Sequence, residues 1–208
     1  MLFSFEGIDG SGKSTQARLL AAALRERGFE VVDVREPGGT EVGERIRALL
    51  LSPDSSIAPR AELLLFSAAR AQLVDEVVRP ALGRDAVVVV DRYFDSSTAY
   101  QGGGRGLADS QWLDTLHHFA TAGLTPDRTY LVDLDVEAAA KRRGGLNPDR
   151  MESGTAGFHE AVRQTYHAIA ARHPERVRVL DGHRAPQELH GVILTDALER
   201  LDGSTRRS

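Results

Sequence analysis

The chain of 208 residues contains no cysteine, which excludes disulfide bonds, thiolate metal sites and a cysteine nucleophile. Lysine is almost absent as well. Only Lys13 and Lys141 are found among 26 basic residues, so arginine supplies nearly all of the positive charge. The formal net charge is −4, which argues against a dedicated nucleic-acid-binding protein. We therefore expect no nucleic-acid partner, and any chemistry must come from side chains other than cysteine.

Long hydrophobic runs are also missing. The longest apolar stretches, such as 86–90, fall far below the roughly 20 residues that a membrane-spanning helix needs. The first residues, 1–6, have neither the basic region nor the apolar region of a signal peptide. We therefore expect a cytoplasmic protein with no membrane partner.

Apolar and charged residues stand in an ordinary globular balance, at 41% and 27% of the chain. Hydrophobic periodicity predicts strands at 2–5, 29–34, 86–90, 129–133 and 177–180. It predicts helices at 14–27, 40–51, 59–79, 111–121, 136–143 and 186–201, with a further helix around 158–169. The long helix 59–79 should stop at Pro80.

This alternation predicts one α/β domain over residues 1–201, with a five-stranded parallel sheet flanked by helices. A polar, glycine-rich stretch at 144–157 is predicted to be a short mobile lid. Residues 202–208 are predicted to form a flexible tail.

The strongest motif lies between the first strand and the first helix. It fits the phosphate-loop pattern G-x-x-x-x-G-K-[ST] and consists of Gly7, Ile8, Asp9, Gly10, Ser11, Gly12, Lys13, Ser14 and Thr15. Its glycines allow backbone N–H groups to face phosphate oxygens, and the following helix adds its positive N-terminal dipole. Lys13 can reach the β- and γ-phosphates, and the Ser14 hydroxyl can ligate Mg²⁺.

This loop predicts ATP or GTP binding but leaves the reaction open among kinases, GTPases, motors and ligases. The guanine-reading motif Asn-Lys-x-Asp is absent because neither lysine follows an asparagine. Asp91 follows four valines, so it is the preferred acid to help hold Mg²⁺, through water. Asp133 and Asp135 end another strand and compete for that role, although Asp135 also suits a helix cap.

Further polar residues follow the predicted strands, at the sheet edge where α/β proteins bind ligands. Residues 35–40 follow the second strand, and residues 91–106 follow the buried valine strand. Phe66 and Arg70 lie one turn apart on the long helix.

Together these stretches resemble the bacterial thymidylate kinases, which are phosphate-loop nucleoside monophosphate kinases. The resemblance rests on residues 7–15, 35–40, 64–70, 91–93, 99–102, 104–106 and 149–152, in an order that extends over about three quarters of the chain. It implies ATP- and Mg²⁺-dependent phosphorylation of dTMP to dTDP, in dTTP biosynthesis, by a homodimer.

The resemblance also implies a dTMP site. Its expected members are Asp9, Glu36, Arg47, Phe66, Arg70, Arg92, Ser96, Ser97, Tyr100 and Gln101. Phe66 would stack on thymine, and Arg70 would donate to a thymine carbonyl. Ser97 and Gln101 would complete the base edge, and Tyr100 would exclude a ribose hydroxyl at C2′. Taken alone, Phe66 suits a core aromatic equally well.

Arginines are expected to hold the dTMP phosphate, because a guanidinium matches phosphate in a bidentate way. The resemblance assigns Arg47 and Arg92 to this role, and Arg92 would also stabilise charge on the transferred group. Glu36 and Asp9 would approach the sugar and its 3′-hydroxyl. Asp9 is equally suited to ordering the phosphate loop.

Phosphoryl transfer also needs cations over the transferred group. Some thymidylate kinases place an arginine inside the phosphate loop, where this chain has Gly10. The resemblance then assigns the role to the basic stretch 141–150, which leads into the predicted lid and from which Arg142 or Arg143, with Arg150, would close over ATP. The expected catalytic residues are therefore Asp9, Lys13, Arg92, Arg142 and Arg143. A solvated basic helix end is the alternative for the lid arginines.

Two other functions stay open on the sequence alone. The first is a kinase of the same fold that phosphorylates another nucleotide or a deoxynucleoside. The second is an ATP-dependent switch or assembly factor without a small acceptor. The residues around Phe66 and Gln101 argue against a switch, since a switch needs no base pocket.

Overall fold

The computed structural model describes residues 1–107, 110–144 and 154–205. Its sheet contains β1 (Leu2–Glu6), β2 (Val31–Arg35), β3 (Val87–Asp91), β4 (Arg128–Asp133) and β5 (Val177–Asp181). The strand order is β2-β3-β1-β4-β5, and every neighbouring pair is parallel. The predicted five-stranded parallel sheet is confirmed, although β2 begins two residues later than predicted.

Helices surround this sheet. They are α1 (Lys13–Glu26), α2 (Glu41–Leu51), α3 (Pro59–Leu73), α4 (Arg79–Leu82), α5 (Phe94–Ser97), α6 (Ser110–Ala120), α7 (Val136–Arg143), α8 (Ala156–Arg172) and α9 (Pro186–Thr205). Two π-helical segments span Val74–Val78 and Thr98–Gly104. Among the described residues, none of these helices is long and apolar enough to cross a membrane.

Two predicted boundaries are corrected. Helix α8 already includes Ala156 and Gly157, which were assigned to the lid. Helix α9 runs to Thr205, four residues past its predicted end at Leu201. Residues 145–153, including Arg150, and residues 206–208 lie outside the described part of the chain.

The central strands are buried on both faces, as their continuous apolar runs predict. Phe3 and Phe5 of β1 pack with Leu20 of α1 and Ile193 of α9 on one side of the sheet. Leu2, also on β1, packs on the opposite side with residues of α3 and β3. This two-sided burial holds β1 rigidly at the centre of the sheet, where the phosphate loop leaves it.

The prediction that the long helix stops at Pro80 is wrong. A π-helical segment, Val74–Val78, follows α3, and α4 then begins with Pro80 in its first turn. The first turn of a helix tolerates proline because its N–H groups have no intrahelical acceptor. The wider π-turn therefore allows the helix to continue past Pro80 to Leu82.

The chain also stays helical through the glycine run that follows Gln101. Helix α5 continues into the π-helical segment Thr98–Gly104. A Cβ atom on Gly103 would overlap the Thr165 hydroxyl of α8. Glycine is required here because α8 packs directly on this backbone, so the glycine run marks a close helix contact.

Register places the chemical motifs together. Phe5 of β1 pairs with Asp91 of β3, so the phosphate loop and the segment after Asp91 start from adjacent strand ends. Arg35 of β2 also pairs with Asp91. Three motif-bearing loops therefore meet at one edge of the sheet, as expected for parallel α/β folds.

Candidate active site

The phosphate loop connects β1 directly to α1. Gly7, Gly10 and Gly12 adopt positive φ values of 140°, 88° and 101°, which glycine adopts without strain. In the described part of the chain, no side chain caps the N-terminus of α1. Its first N–H groups are therefore available to bind phosphate oxygens.

Lys13 is buried at the base of this loop. Its ammonium lies 3.3 Å from Oδ1 of Asp9. Burial lowers the pKa of Lys13, and the nearby Arg92 charge lowers it further, while Asp9 opposes both. In contrast, Lys141 is exposed and forms a surface ion pair with Glu137. The two lysines of the chain therefore lie in opposite environments.

Helix α7 packs against the phosphate loop at Gly10. A Cβ atom at Gly10 would lie 2.5 Å from the Ala139 carbonyl oxygen and 3.1 Å from Cγ of Arg143. Arg142 donates to the carbonyl oxygens of Gly182, at 2.9 Å, and Ser11, at 3.4 Å. Helix α7 thus carries two arginines to the loop at the position where Gly10 offers no side chain.

A first cleft opens beside the loop. Twelve of the predicted site residues line it: Asp9, Lys13, Ser14, Glu36, Arg47, Phe66, Asp91, Arg92, Ser96, Ser97, Tyr100 and Gln101.

A second cleft lies over the loop on its other side. It is lined by Gly10, Ser11, Gly12, Lys13, Ser14, Thr15, Gln16, Arg142, Gly182, Arg184, Pro186 and Leu189. Lys13 and Ser14 belong to both clefts, so the two spaces meet at the start of α1. Ile8 instead packs in the core between the sheet and α8.

Arg92 links the phosphate loop to the first cleft. It adopts a left-handed φ of 70°, a conformation that costs a non-glycine residue roughly 1 kcal/mol or more. Its guanidinium donates five hydrogen bonds, to Gly7 O, Ser96 Oγ, Tyr166 OH, Asp9 and Tyr100 OH. These contacts hold the strained residue in one orientation between the phosphate loop and the first cleft.

Asp9 is a fixed anion at this junction. It pairs with both Arg92 and Lys13, and it accepts a hydrogen bond of 2.7 Å from the Tyr100 hydroxyl. Burial would raise the pKa of Asp9, but the charges of Arg92 and Lys13 hold it well below its usual value. The Arg92 guanidinium also lies 4.9 Å from the centre of the Tyr100 ring. Asp9 thus connects Lys13 of the phosphate loop to Arg92 and Tyr100.

Beneath Arg92 lies a carboxylate that the sequence motifs did not identify. Glu6, the last residue of β1, accepts from the Tyr93 N–H at 2.7 Å, Ser96 Oγ at 2.5 Å and Tyr166 OH at 2.9 Å. Burial raises the pKa of Glu6 to about 7, and the Asp95 charge adds to this effect. In the sequence, the available signal was a charged residue directly after the mostly apolar stretch 2–5.

Arg70 has several buried partners beside the first cleft, and its expected contact with a thymine carbonyl stays a prediction. It is buried and does not line the first cleft; its guanidinium lies behind Glu36 at 2.6 Å. It also donates to Ser97 Oγ at 3.2 Å and to the Tyr93 carbonyl at 3.1 Å. Within the described chain, Oε1 of Glu36 is buried without a hydrogen-bond partner. Arg70 thus supports two cleft residues from behind, and Glu36 keeps one acceptor for a ligand.

Glu62, which was also missed, supports the far end of the first cleft. Gln101 donates from Nε2 to Glu62 Oε1 at 2.9 Å. Arg105 donates to both carboxylate oxygens, at 2.9 and 3.1 Å. Glu62 looks like an ordinary charge on a helix in the sequence, and only the folded chain reveals its burial.

The residues expected to bind Mg²⁺ have the chemistry for it. Ser14 and Asp91 both line the first cleft, and Oδ1 of Asp91 is buried without a partner among the described residues. Hard cations such as Mg²⁺ prefer oxygen ligands of this kind and complete their coordination with phosphates and water. In the described part of the chain, no group of three acidic, histidine or cysteine side chains could hold a metal alone.

The two competing aspartates have other partners. Asp135 caps α7 by accepting from the Ala138 N–H at 2.8 Å, which agrees with its alternative role. Asp133 forms a two-bond pair with Arg163 at 2.7 and 2.8 Å. Neither residue lines the first cleft, so Asp91 is the best-placed acid.

Comparisons with known proteins agree with this geometry. A sequence profile described as "Thymidylate kinase" matches residues 5–193. The thymidylate kinase of Chlorobaculum tepidum is 47% identical over 95% of this chain and 98% of its own length. That of Kosmotoga olearia is 46% identical over 95% of each chain.

A solved structure extends the likeness to three dimensions. The crystal structure of thymidylate kinase from Ehrlichia chaffeensis superposes with a TM-score of 0.80 at 32% identity. The match covers 95% of this chain and 98% of that one. Profile, sequence relatives and fold agree over nearly the whole length, and the chain belongs to the thymidylate kinase family.

Proposed function

We propose a role for each part of the two clefts in the reaction of this family, the phosphorylation of dTMP to dTDP by ATP. The chain is an ATP-dependent dTMP kinase. The observation that supports our assignment of roles is the position of Arg92, which contacts the phosphate loop through Asp9 and the first cleft through Ser96.

On the donor side, ATP binds in the second cleft. The uncapped N-terminus of α1 and the loop N–H groups receive its phosphates, and Lys13 neutralises the β- and γ-phosphates. Arg142, and Arg143 behind Gly10, supply positive charge from α7. The role predicted for Arg150 remains a prediction.

Ser14 and Asp91 would hold Mg²⁺, with Asp91 acting through water. When bound, the ion neutralises charge on the β- and γ-phosphate oxygens. The buried, unpartnered Oδ1 of Asp91 supports this assignment, because a buried acceptor without a partner is costly unless a ligand satisfies it.

On the acceptor side, dTMP occupies the first cleft. Phe66 stacks on the thymine ring, and Ser97 and Gln101 bind the polar edge of this base. The free Oε1 of Glu36 accepts from the sugar hydroxyl, while Arg70 orients Glu36. Tyr100 is held by Asp9 and Arg92, so its rigid ring can exclude a 2′-hydroxyl.

Arg47 and Arg92 hold the dTMP phosphate. One of its oxygens attacks the γ-phosphorus in line, a new P–O bond forms, and the bond to ADP breaks to give dTDP and ADP. No protein nucleophile is needed, because the attacking group is already an anion. Catalysis consists of positioning and charge stabilisation by Arg92, Lys13 and the α7 arginines.

Arg92→Ala tests this assignment. Turnover of dTMP in a coupled assay for ADP should fall roughly 10²-fold or more, because charge on the transferred group loses its fixed partner. ATP binding, measured by calorimetry, should stay within a few-fold of wild type. Arg84→Ala is the control, since Arg84 pairs with Glu30 on the exposed surface. Near-normal turnover by Arg92→Ala would refute the role.

A further inference from the structure

A buried carboxylate, Glu62, determines how Gln101 faces the first cleft. Glu62 lies on α3 with no exposed surface, opposite the π-helical segment Thr98–Gly104. Its Oε1 accepts from Nε2 of Gln101 at 2.9 Å and from Nε of Arg105 at 2.9 Å. Its Oε2 accepts from Nη2 of Arg105 at 3.1 Å.

This arrangement permits one orientation of the Gln101 amide. An ionised carboxylate only accepts hydrogen bonds, and Arg105 pairs with both oxygens of Glu62. The Gln101 amide must therefore present its NH₂ group to Glu62. Gln101 also lines the first cleft, so its amide oxygen, the group opposite the NH₂, is an acceptor for a base bound there.

The same helix carries the other base-binding elements. Glu62, Phe66 and Arg70 follow one another at intervals of four residues, so they lie along one face of α3. Phe66 borders the cleft, Arg70 supports Ser97, and Glu62 supports Gln101. One rigid helix face thus positions the stacking ring and both polar groups of the base edge.

We propose that Glu62 is a positioning residue for base selection, which holds the Gln101 amide oxygen toward the base. Thymine carries a hydrogen on N3 and can donate to this oxygen. The N3 atom of cytosine is an acceptor. Its lone pair would face a lone pair of the Gln101 amide oxygen, and the two would repel each other. The inference rests on the proposed placement of thymine against Gln101.

Glu62→Gln tests the inference. A glutamine at this position can donate or accept, so the Gln101 amide can adopt either orientation. The ratio of kcat/KM for dTMP to that for dCMP should fall roughly tenfold or more, since the flipped amide would leave the N3 hydrogen of thymine without an acceptor. The loss should come from a higher KM for dTMP, with kcat at saturation nearly unchanged.

A matched control separates selectivity from stability. Asp196 is another buried carboxylate that pairs with arginines, namely Arg128, Arg178 and Arg200, and it lies outside the first cleft. Asp196→Asn should lower the melting temperature, as Glu62→Gln does, and should leave the dTMP/dCMP ratio unchanged. If Glu62→Gln does not fold, Glu62→Gln with Arg105→Met removes the buried pair as a unit and should show the same lower ratio.

A third variant distinguishes this inference from the proposed function. Gln101→Leu should raise the KM for dTMP if thymine lies against Gln101. An unchanged KM in that variant would refute the placement of the base and the inference with it. A raised KM in Gln101→Leu combined with a wild-type ratio in the Glu62 variants would refute the inference alone.

Discussion

Glu6 and Arg92 show how single residues set the chemistry of this cleft. Arg92 is held in a left-handed conformation by five hydrogen bonds, and two of its partners, Ser96 and Tyr166, also bind Glu6. Glu6 therefore supports Arg92 from beneath through two hydroxyl groups. Glu6 provides this support from a buried position. Burial raises the pKa of its carboxyl group to about 7.

This pKa predicts how stability depends on pH. The native state binds a proton on Glu6 up to about pH 7, whereas the unfolded chain releases it near 4.5. The stabilising contribution is therefore complete below pH 4.5 and is lost as the pH rises through 7. Relative to Glu6→Gln, the wild-type free energy of unfolding should fall across this window in urea titrations.

The control for this experiment is Glu137→Gln, which alters an exposed carboxylate paired with Lys141. This variant should follow the wild-type pH profile. Parallel profiles of wild type and Glu6→Gln between pH 4.5 and 7 would contradict the raised pKa.

At the scale of elements, the contact between α7 and the phosphate loop explains why Gly10 carries no side chain. A Cβ atom on residue 10 would lie only 2.5 Å from the Ala139 carbonyl oxygen, which is too close. A loop arginine therefore cannot fit in this arrangement, and α7 brings Arg142 to the second cleft instead. The packing of α7 on the phosphate loop therefore accounts both for the missing side chain at Gly10 and for the position of Arg142.

Gly10→Ala should test this contact. The substitution forces a left-handed alanine, which costs about 1–2 kcal/mol, and displaces α7, so both thermal stability and ATP affinity should decrease. Gly191→Ala in α9 is the control, because nothing lies within 4 Å of its added Cβ. That variant should be stabilised by up to about 1 kcal/mol. Unchanged ATP affinity in Gly10→Ala would show that α7 does not hold the loop.

Across the whole molecule, exposed apolar side chains concentrate on one set of helices. Phe119 and Trp112 of α6 are 83% and 48% exposed, and Leu64 of α3 is 55% exposed. Helix α3 packs against α6 and also against α2, on which Val42 and Leu49 are exposed. Exposed apolar residues gathered on helices that pack together are typical of interaction surfaces. The homodimer predicted from the family resemblance would use this face.

Light scattering after size exclusion tests this prediction. The wild-type chain should elute with the mass of a dimer, and Phe119→Asp should shift it toward the monomer mass, because a charge would be buried without a partner. Val179→Asp changes an apolar residue of β5 that is 44% exposed, away from α2, α3 and α6, and should remain dimeric. A monomeric wild-type chain at micromolar concentration would contradict the prediction.

Much of this protein follows from its sequence alone. The spacing of glycines before Lys13 predicts the phosphate loop, and the apolar runs predict the five parallel strands, because both depend on local backbone chemistry. Only the tertiary structure decided which buried groups meet. Glu6 binds Tyr166 across 160 positions of sequence, and Glu62 binds Gln101 across 39. Such pairs depend on how helices pack on the sheet, which no local pattern records. That packing also placed Arg70 behind Glu36 and carried the long helix past Pro80.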